Sequence, residues 1–310
     1  MTDAEETIAV VVVTYHSEAV LPGLLTTLEQ GLDGLSWHLT VADNASADES
    51  VATVRRLLPA ARVVEMGRNA GYAAGINAAV AAAGEHTAVL VLNPDIRLTP
   101  GCGRELVEVL RRTGAGIVVP RMERGDGSQI AALRREPSIP RAFGDALLGA
   151  SRATRYPWLG ELVAGERSYA EETVADWGAG SAMLISAECW RRVAPWDESF
   201  FLYSEETDFA LRARDAGLLT RLAPRALVVH LEGESKVSPR LWAMLSVNRV
   251  RLYRRRHRAW ATALYWSALV LREASRAVLG NPASRAAATA LTSPRLLRTA
   301  PGPEWMVRRG

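Results

Sequence analysis

A single uninterrupted run, residues 8–14 (IAVVVVT), constrains this chain more than any other feature. Four successive valines show no amphipathic period, and β-branched side chains favour extended backbone. Such a strand needs cover on both faces, as in parallel sheets flanked by helices. The following segments continue the alternation. Leu21, Leu24, Leu25 and Leu28 mark one face of a helix with Ser17 as candidate cap, and a strand lies near Leu39–Ala42. Ser46 and Glu49 have capping-box spacing for a helix reaching about Leu58. Strands near Arg62–Glu65 and Ala88–Leu92 bracket an alanine-rich helix starting around Tyr72. This order predicts a doubly wound α/β sheet with right-handed crossovers, and ligands in such sheets sit outside the carboxyl ends of the strands.

After about Val119 the pattern changes. Residues 121–177 are rich in Arg, Gly and Pro with weak periodicity, and loops of that length in a compact domain tend to be functional. Regular structure is expected again as a strand at Ala182–Ser186, a helix from about Ser204 to Ala216 and a strand at Ala226–His230. From about Ser238 the chain reads as helical and Arg-rich.

Composition narrows the setting. With 48% hydrophobic and 23% charged residues, the 310-residue chain buries a proper core. Cys102 and Cys189 are too few for a disulfide framework and form no C-x-x-C pattern, which points to a reduced, cytosolic compartment. The acidic start, MTDAEET, runs straight into a strand, so no signal peptide is expected. The net charge of +3 hides an asymmetry: from Ser235 onward there are 15 Lys/Arg against Glu273 and Glu304, leaving 22 basic and 32 acidic residues before it. A basic appendage of this kind meets an anionic surface, nucleic acid or membrane.

Three strand ends carry polar clusters: Thr14-Tyr15, Asp43-Asn44 and Asn93-Pro94-Asp95. Asp95 follows the apolar strand AVLVL, so its carboxylate should project from the sheet edge, where it can hold a hard cation and through it a diphosphate. A plain Asn-Pro-Asp turn is the competing reading. Gly67, Gly71 and Gly75 frame Asn69, Tyr72 and Asn77; this spacing is not the dinucleotide fingerprint and fits either backbone approach to a nucleotide or close helix packing, the latter better for Gly75. Residues 198–212 (ESFFLYSEETDFALR) place Glu205, Glu206 and Asp208 in the first turn of a helix. The helix dipole accounts for one or two acids there. A third leaves a carboxylate available as general base on an acceptor hydroxyl.

The segments at 43–46, 67–72, 92–95, 178–185 and 198–212 occur in an order and spacing that resembles the family 2 glycosyltransferases of GT-A fold, over roughly residues 7–260. The layout is similar to bacterial rhamnosyltransferases that extend polyprenyl-diphosphate-linked GlcNAc, including Pro137-Ser138-Ile139-Pro140. The resemblance implies a mixed GT-A sheet flanked by helices, with a domain at 1–237 (nucleotide-sugar half 1–120, acceptor and catalytic half 121–237) and a basic helical region at 238–310. It implies that Thr14, Tyr15 and Asp43 contact the nucleoside, and that Asn69 and Asn77 sit by the nucleotide and diphosphate. Asn93-Pro94-Asp95 takes the place of the D-x-D motif, with Asp95 as ligand to Mg²⁺ or Mn²⁺; Asn93 replaces its first Asp. Trp177, Gly178 and Gly180 would line the sugar and acceptor pocket together with Glu205. Glu206 stands where the family usually has its catalytic Asp, so Glu206 is the expected base, alone or shared with Asp208. His230, preceding Glu232-Gly233-Glu234-Ser235, would complete the metal shell opposite Asp95.

The expected chemistry is a single displacement with inversion, moving a sugar from a nucleotide-diphosphate donor to a lipid-linked acceptor. Rhamnose rests on resemblance alone; UDP-linked galactofuranose or N-acetylhexosamine and GDP-mannose are alternatives. A pyrophosphorylase is disfavoured because Thr14-Tyr15-His16-Ser17 replaces the Gly-rich basic loop that chemistry needs, and a binding-only homologue is the non-enzyme alternative. In the basic region, Arg240, Arg249, Arg251, Arg254, Arg255, Arg256 and Arg258 alternate with apolar residues, and the apolar stretch Ala259–Leu271 is too short to span a bilayer. An interfacial helix is expected, with arginines on anionic lipid and Trp260, Tyr265 and Trp266 at headgroup depth, peripheral on the inner face of the membrane. A helix pair packed on the domain, or a homodimer contact, competes with it; nucleic-acid binding is not expected.

Overall fold

The computed structural model describes residues 7–231 and 238–305. Its strands are β1 (Thr7–Thr14), β2 (Ser36–Asp43), β3 (Arg62–Glu65), β4 (Ala88–Leu92), β5 (Ile96–Leu98), β6 (Ile117–Glu123), β7 (Gln129–Ile130), β8 (Leu133–Arg134), β9 (Val174–Ala175), β10 (Trp177–Gly178), β11 (Ala182–Ser186) and β12 (Thr220–His230). Its helices are α1 (Leu21–Gly31), α2 (Ser50–Leu57), α3 (Tyr72–Ala83), α4 (Cys102–Thr113), α5 (Ile139–Leu148), α6 (Ala150–Ala153), α7 (Arg167–Ala170), α8 (Ala187–Val193), α9 (Glu205–Asp215), α10 (Pro239–Arg256), α11 (Ala259–Val278), α12 (Pro282–Leu291) and α13 (Pro294–Arg298).

The main sheet runs β3-β2-β1-β4-β11-β6-β12-β5, while β8 and β10 form a separate ribbon. Strands β3, β2, β1 and β4 are parallel, as the alternation predicts. Then β11 enters antiparallel between β4 and β6, which makes the sheet mixed. Side chains of β1 alternate between two cores, as pleating requires. Ile8, Val10 and Val12 pack with Leu21, Leu24 and Leu28 of α1, and Val11 and Val13 with Ile76 and Ala79 of α3. Each fully buried valine is favoured by about 1.5–3 kcal/mol over an exposed one, so the run fixes the centre of the sheet. A Cβ on Gly75 would stand 2.7 Å from Val13 Cγ1, so that glycine serves close helix packing.

Two expected caps are not formed. Helix α1 begins after Val20 with no side-chain cap, while Ser17 Oγ accepts from the Tyr15 amide at 3.2 Å. Helix α2 begins at Ser50, because Ser46 is engaged elsewhere, donating to Asp43 at 2.6 Å and accepting from the His16 amide at 2.9 Å. An ionised carboxylate is the stronger partner for that hydroxyl.

The C-terminal helices pack on the second half of the α/β unit. Arg249 pairs with Glu161, Arg255 with Asp197, Arg256 with Glu136 and Asp215, and Arg272 with Asp145 and Glu273. Asn248 donates to the carbonyls of Leu202 (3.0 Å) and Tyr203 (3.2 Å). The aromatic belt expected along α11 is not realised. Tyr265 is fully buried and stacks on Tyr253 at 4.1 Å, and Trp266 Nε1 donates to the Leu291 carbonyl at 2.8 Å, leaving Trp260 exposed. Burial of those rings stabilises the helices more than solvent exposure allows, so this segment packs as a helix pair. Among the described residues no helix is long and apolar enough to cross a membrane. The boundary expected at 237–238 and the segment Glu232-Gly233-Glu234-Ser235 fall at or within 232–237, outside the described residues.

Candidate active site

The strand order reverses between β1 and β4, and a cleft of ≈ 610 Å³ opens at their carboxyl ends. Thr14, Tyr15, Asn44, Asn69, Asn93 and Asp95 line it. Beside it lies a second cavity of ≈ 290 Å³, lined by Arg134, Trp177, Glu206, Trp242, Arg249 and Arg272. A thin wall separates the two. The Tyr72 hydroxyl lies 2.7 Å from Asn93 Oδ1 and 3.0 Å from the Gly180 carbonyl, and a Cβ on Gly180 would stand 3.1 Å from Glu206 Cβ. A Cβ at Gly180 would press Glu206 back by a few tenths of an ångström. At Gly71 glycine is required: its φ is +94°, and a Cβ there would meet the Phe201 carbonyl at 2.5 Å.

Asp95 and His230 meet although 135 residues apart in sequence, because β12 pairs antiparallel with β5 and puts His230 opposite Ile96. His230 Nε2 stands 3.2 Å from Asp95 Oδ2, and both side chains are mostly buried. Among the described residues no group of three or more His, Cys, Asp or Glu is arranged to hold a metal. One carboxylate and one imidazole fit a divalent ion of the Mg²⁺ type, which keeps water and takes substrate phosphates for the rest of its shell. The Asn93 amide oxygen accepts from the Tyr72 hydroxyl at 2.7 Å.

Other expected residues lie elsewhere. Asp43 is only 2% exposed, and its carboxylate accepts from Thr14 Oγ1 (2.7 Å), Ser46 Oγ (2.6 Å) and the Ser46 amide (2.8 Å). It braces the floor of the cleft, and Asn44 occupies the lining beside it. Asn77 is not at the cleft. Its side chain accepts from the Trp196 amide (2.9 Å) and donates to the Trp196 carbonyl (2.9 Å), tying α3 to the loop before α9. Asp208 accepts from Arg212 Nε at 2.7 Å and faces a surface pocket with Trp196 and Asp197, away from Glu206. Glu205 is 2% exposed and lines neither cavity. Burial, then the neighbouring Glu206, pushes its carboxyl well above the usual range, which favours the neutral acid. Trp177 lines the smaller cavity, with the Arg134 guanidinium 5.8 Å from its ring, while Gly178 packs on Val119.

Of this trio, Glu206 alone lines the cavity beside the strand-end cleft. Burial raises its pKa, opposed by amides at the start of α9 and by the charge on Arg134. A carboxylate whose pKa is raised is a stronger proton acceptor once ionised, which suits general-base work. Its position rests on unusual backbone: Tyr203 (φ 68°) and Ser204 (φ 77°) are left-handed just before the helix begins. Such residues cost of order 1 kcal/mol or more each, and persist when neighbours over-determine them. Here Asn248 of α10 holds the carbonyls of Leu202 and Tyr203, and the Tyr72 amide donates to the Phe201 carbonyl at 2.9 Å. The motif reading did not reach Arg134, Trp242, Arg249 or Arg272, since no local pattern links them.

Known proteins share these features. Residues 9–157 match the model for glycosyl transferase family 2, and residues 164–297 match that for glycosyl transferase family group 2. An N-acetylglucosaminyl-diphospho-decaprenol L-rhamnosyltransferase of Mycobacterium tuberculosis is 31% identical over 250 residues, 76% of this chain and 78% of the relative. The chain belongs to glycosyltransferase family 2. Solved glycosyltransferases share the architecture. A mannosyltransferase from Pyrobaculum calidifontis, solved with GDP-Man and Mn²⁺, superposes with TM-score 0.56 at 18% identity, over 95% of this chain and 85% of that one. GalNAc-T7, solved with UDP, GalNAc and Mn²⁺, gives 0.58 at 14% identity over 81% of this chain, which spans 48% of that structure's length. The glycosyltransferase thus has the expected GT-A fold, with its helical C-terminal region forming one wall of the second cavity.

Proposed function

We propose that this enzyme transfers L-rhamnose from dTDP-rhamnose, with inversion, to a hydroxyl of a polyprenyl-diphosphate-linked GlcNAc, in cell-wall or polysaccharide synthesis at the inner face of the membrane. The observation that carries the transfer is the junction of the two cavities at Glu206, Gly180 and Tyr72. The choice of sugar and acceptor follows the name of the mycobacterial relative. The larger cleft takes the nucleotide, within the usual range of about 300–1,000 Å³ for ligand pockets. The smaller cavity, with Trp177 and Trp242 as apolar surfaces, takes the acceptor sugar.

Asp95 and His230 would hold Mg²⁺ or Mn²⁺, which when bound neutralises charge growing on the leaving diphosphate. The protein's own part is acid–base and positional. Glu206 accepts the proton of the acceptor hydroxyl while that oxygen bonds to the anomeric carbon and the bond to the nucleoside diphosphate breaks. Tyr72 keeps its proton, since burial and then Glu205, Glu206 and Asp95 raise its pKa well above 10, and it fixes Asn93 against Gly180 as a neutral donor. Thermal denaturation with a panel of nucleotide sugars, each with and without Mn²⁺, tests the donor. dTDP-rhamnose should give the largest metal-dependent stabilisation; a shift with a UDP-sugar or GDP-mannose and none with dTDP-rhamnose overturns the donor choice.

A further inference from the structure

Two groups stand out among the arginines of the C-terminal region; Arg251, which donates to the Ser199 carbonyl and Asn248 Oδ1, and the exposed Arg254, Arg258 and Arg298 lie outside both. Those at 249, 255, 256, 272 and 276 are consumed by carboxylates that fasten the helices to the α/β unit. Arg240, Arg285 and Arg295 have no acidic partner among the described residues, and all three line one open groove of ≈ 880 Å³ between α10, α12 and α13. The floor of that groove is apolar: Ala243 and Ala290 are buried there, and Leu296 and Trp305 form half-buried walls. Glu304 is the single acid among the lining residues, with Oε1 accepting from the Gly302 amide at 3.1 Å. At one end of the groove, just before Pro282, the α11–α12 turn exposes Val278 and Leu279 almost completely, at 88% and 84%.

We infer that this groove and turn form a docking face for an anionic bilayer, with the three guanidiniums on lipid phosphates and Val278 and Leu279 in the acyl boundary. Two features select that occupant. Guanidiniums without carboxylates seek anions with more than one acceptor oxygen. Bare apolar side chains beside them fit a surface whose apolar layer begins just below its phosphates. The face deepens the lipid-linked reading of the acceptor: Trp242 of the same helix lines the acceptor cavity, while Arg240 and Ala243 turn to the groove.

Co-sedimentation of the full chain with vesicles of phosphatidylcholine, alone or mixed with phosphatidylglycerol, tests the face without donor or acceptor, so it can fail or succeed independently of the sugar assignment. Native protein should partition onto the mixed vesicles and not onto the neutral ones. The triple variant R240Q/R285Q/R295Q should lose partitioning roughly a hundredfold, about fivefold per arginine. V278S/L279S should weaken it by about tenfold. R55Q/R104Q/R191Q, which removes the same charge from exposed ion pairs of the α/β unit, should stay within about twofold of native. The inference is overturned if the groove variant, with an unchanged melting temperature, sediments like native, or if native binds neutral vesicles equally well. A native dimer that the groove variant converts to monomer also overturns it, assigning the groove to a second copy.

Discussion

The two cavities that meet at Glu206 are built in opposite ways. The nucleotide cleft is made of strand ends: Thr14-Tyr15 after β1, Asn44 after β2, and Asn93 to Asp95 after β4. Its polar groups come from short segments whose direction is set by a buried parallel strand, and they are mostly neutral. The acceptor cavity is made of charged and aromatic side chains from a ribbon, the start of α9, and two C-terminal helices. Its charges are paired across long sequence separations, as in Arg249 with Glu161 and Arg272 with Asp145. The difference separates two tasks. Under the proposed function, a nucleotide would be gripped by backbone-anchored groups at a fixed sheet edge, whereas an acceptor would be recognised by a wall that the enzyme's C-terminal helices supply.

Five experiments break or sharpen this division. Glu206→Gln should lower kcat by about 10²–10⁴-fold while leaving metal-dependent donor stabilisation intact; a near-native kcat would remove Glu206 from the chemistry. Asp95→Ala, His230→Ala or a chelator should abolish the metal-dependent part of that stabilisation, which for native protein at a hundred times Kd amounts to about 2.7 kcal/mol. A full donor shift without metal would contradict the assignment.

The pH profile comes next. Glu206 works as the carboxylate, so activity should rise with pH through a value above the ordinary 4.5, as burial dictates. Arg134→Met removes the charge that opposes that rise and should move the acid limb higher still, with donor stabilisation unchanged. For Glu205 the sign runs through stability: its folded-state pKa lies above the unfolded one, so the folded protein binds the extra proton and loses stability as pH climbs from the ordinary value through the raised one. The smallest effect is expected for Asp208→Asn, which should cost about 1.5 kcal/mol of stability through the loss of its bond to Arg212, with kcat within about twofold of native. A large loss of kcat there would return Asp208 to the site.

How much of this was legible depended on range. The run at 8–14 specified a doubly covered central strand, and Asn93-Pro94-Asp95 specified a polar strand end, because both properties belong to consecutive residues. The intramolecular bonds of Asp43 are local but too subtle for a motif: Ser46, three residues on, folds back onto its carboxylate. The contacts of Asn77 escape any local motif because its partners, Trp196 and Glu198, are about 120 residues away. The aromatic residues of α11 looked interfacial from composition, yet Tyr253 lies against Tyr265 and withdraws it into the core.

The sequence by itself therefore determined the parallel half of the sheet, the strand-end positions of Thr14 and Asp95, and the acids at the head of α9, since periodicity and β-branching act between near neighbours. The tertiary structure alone decided which of those acids faces a cavity, which residue meets Asp95, and which arginines remain free to act. Those outcomes follow from antiparallel pairing of β5 with β12, from close approach at Gly71 and Gly180, and from charge pairing across elements. Such contacts are a matter of distance in space, which no window along the chain contains.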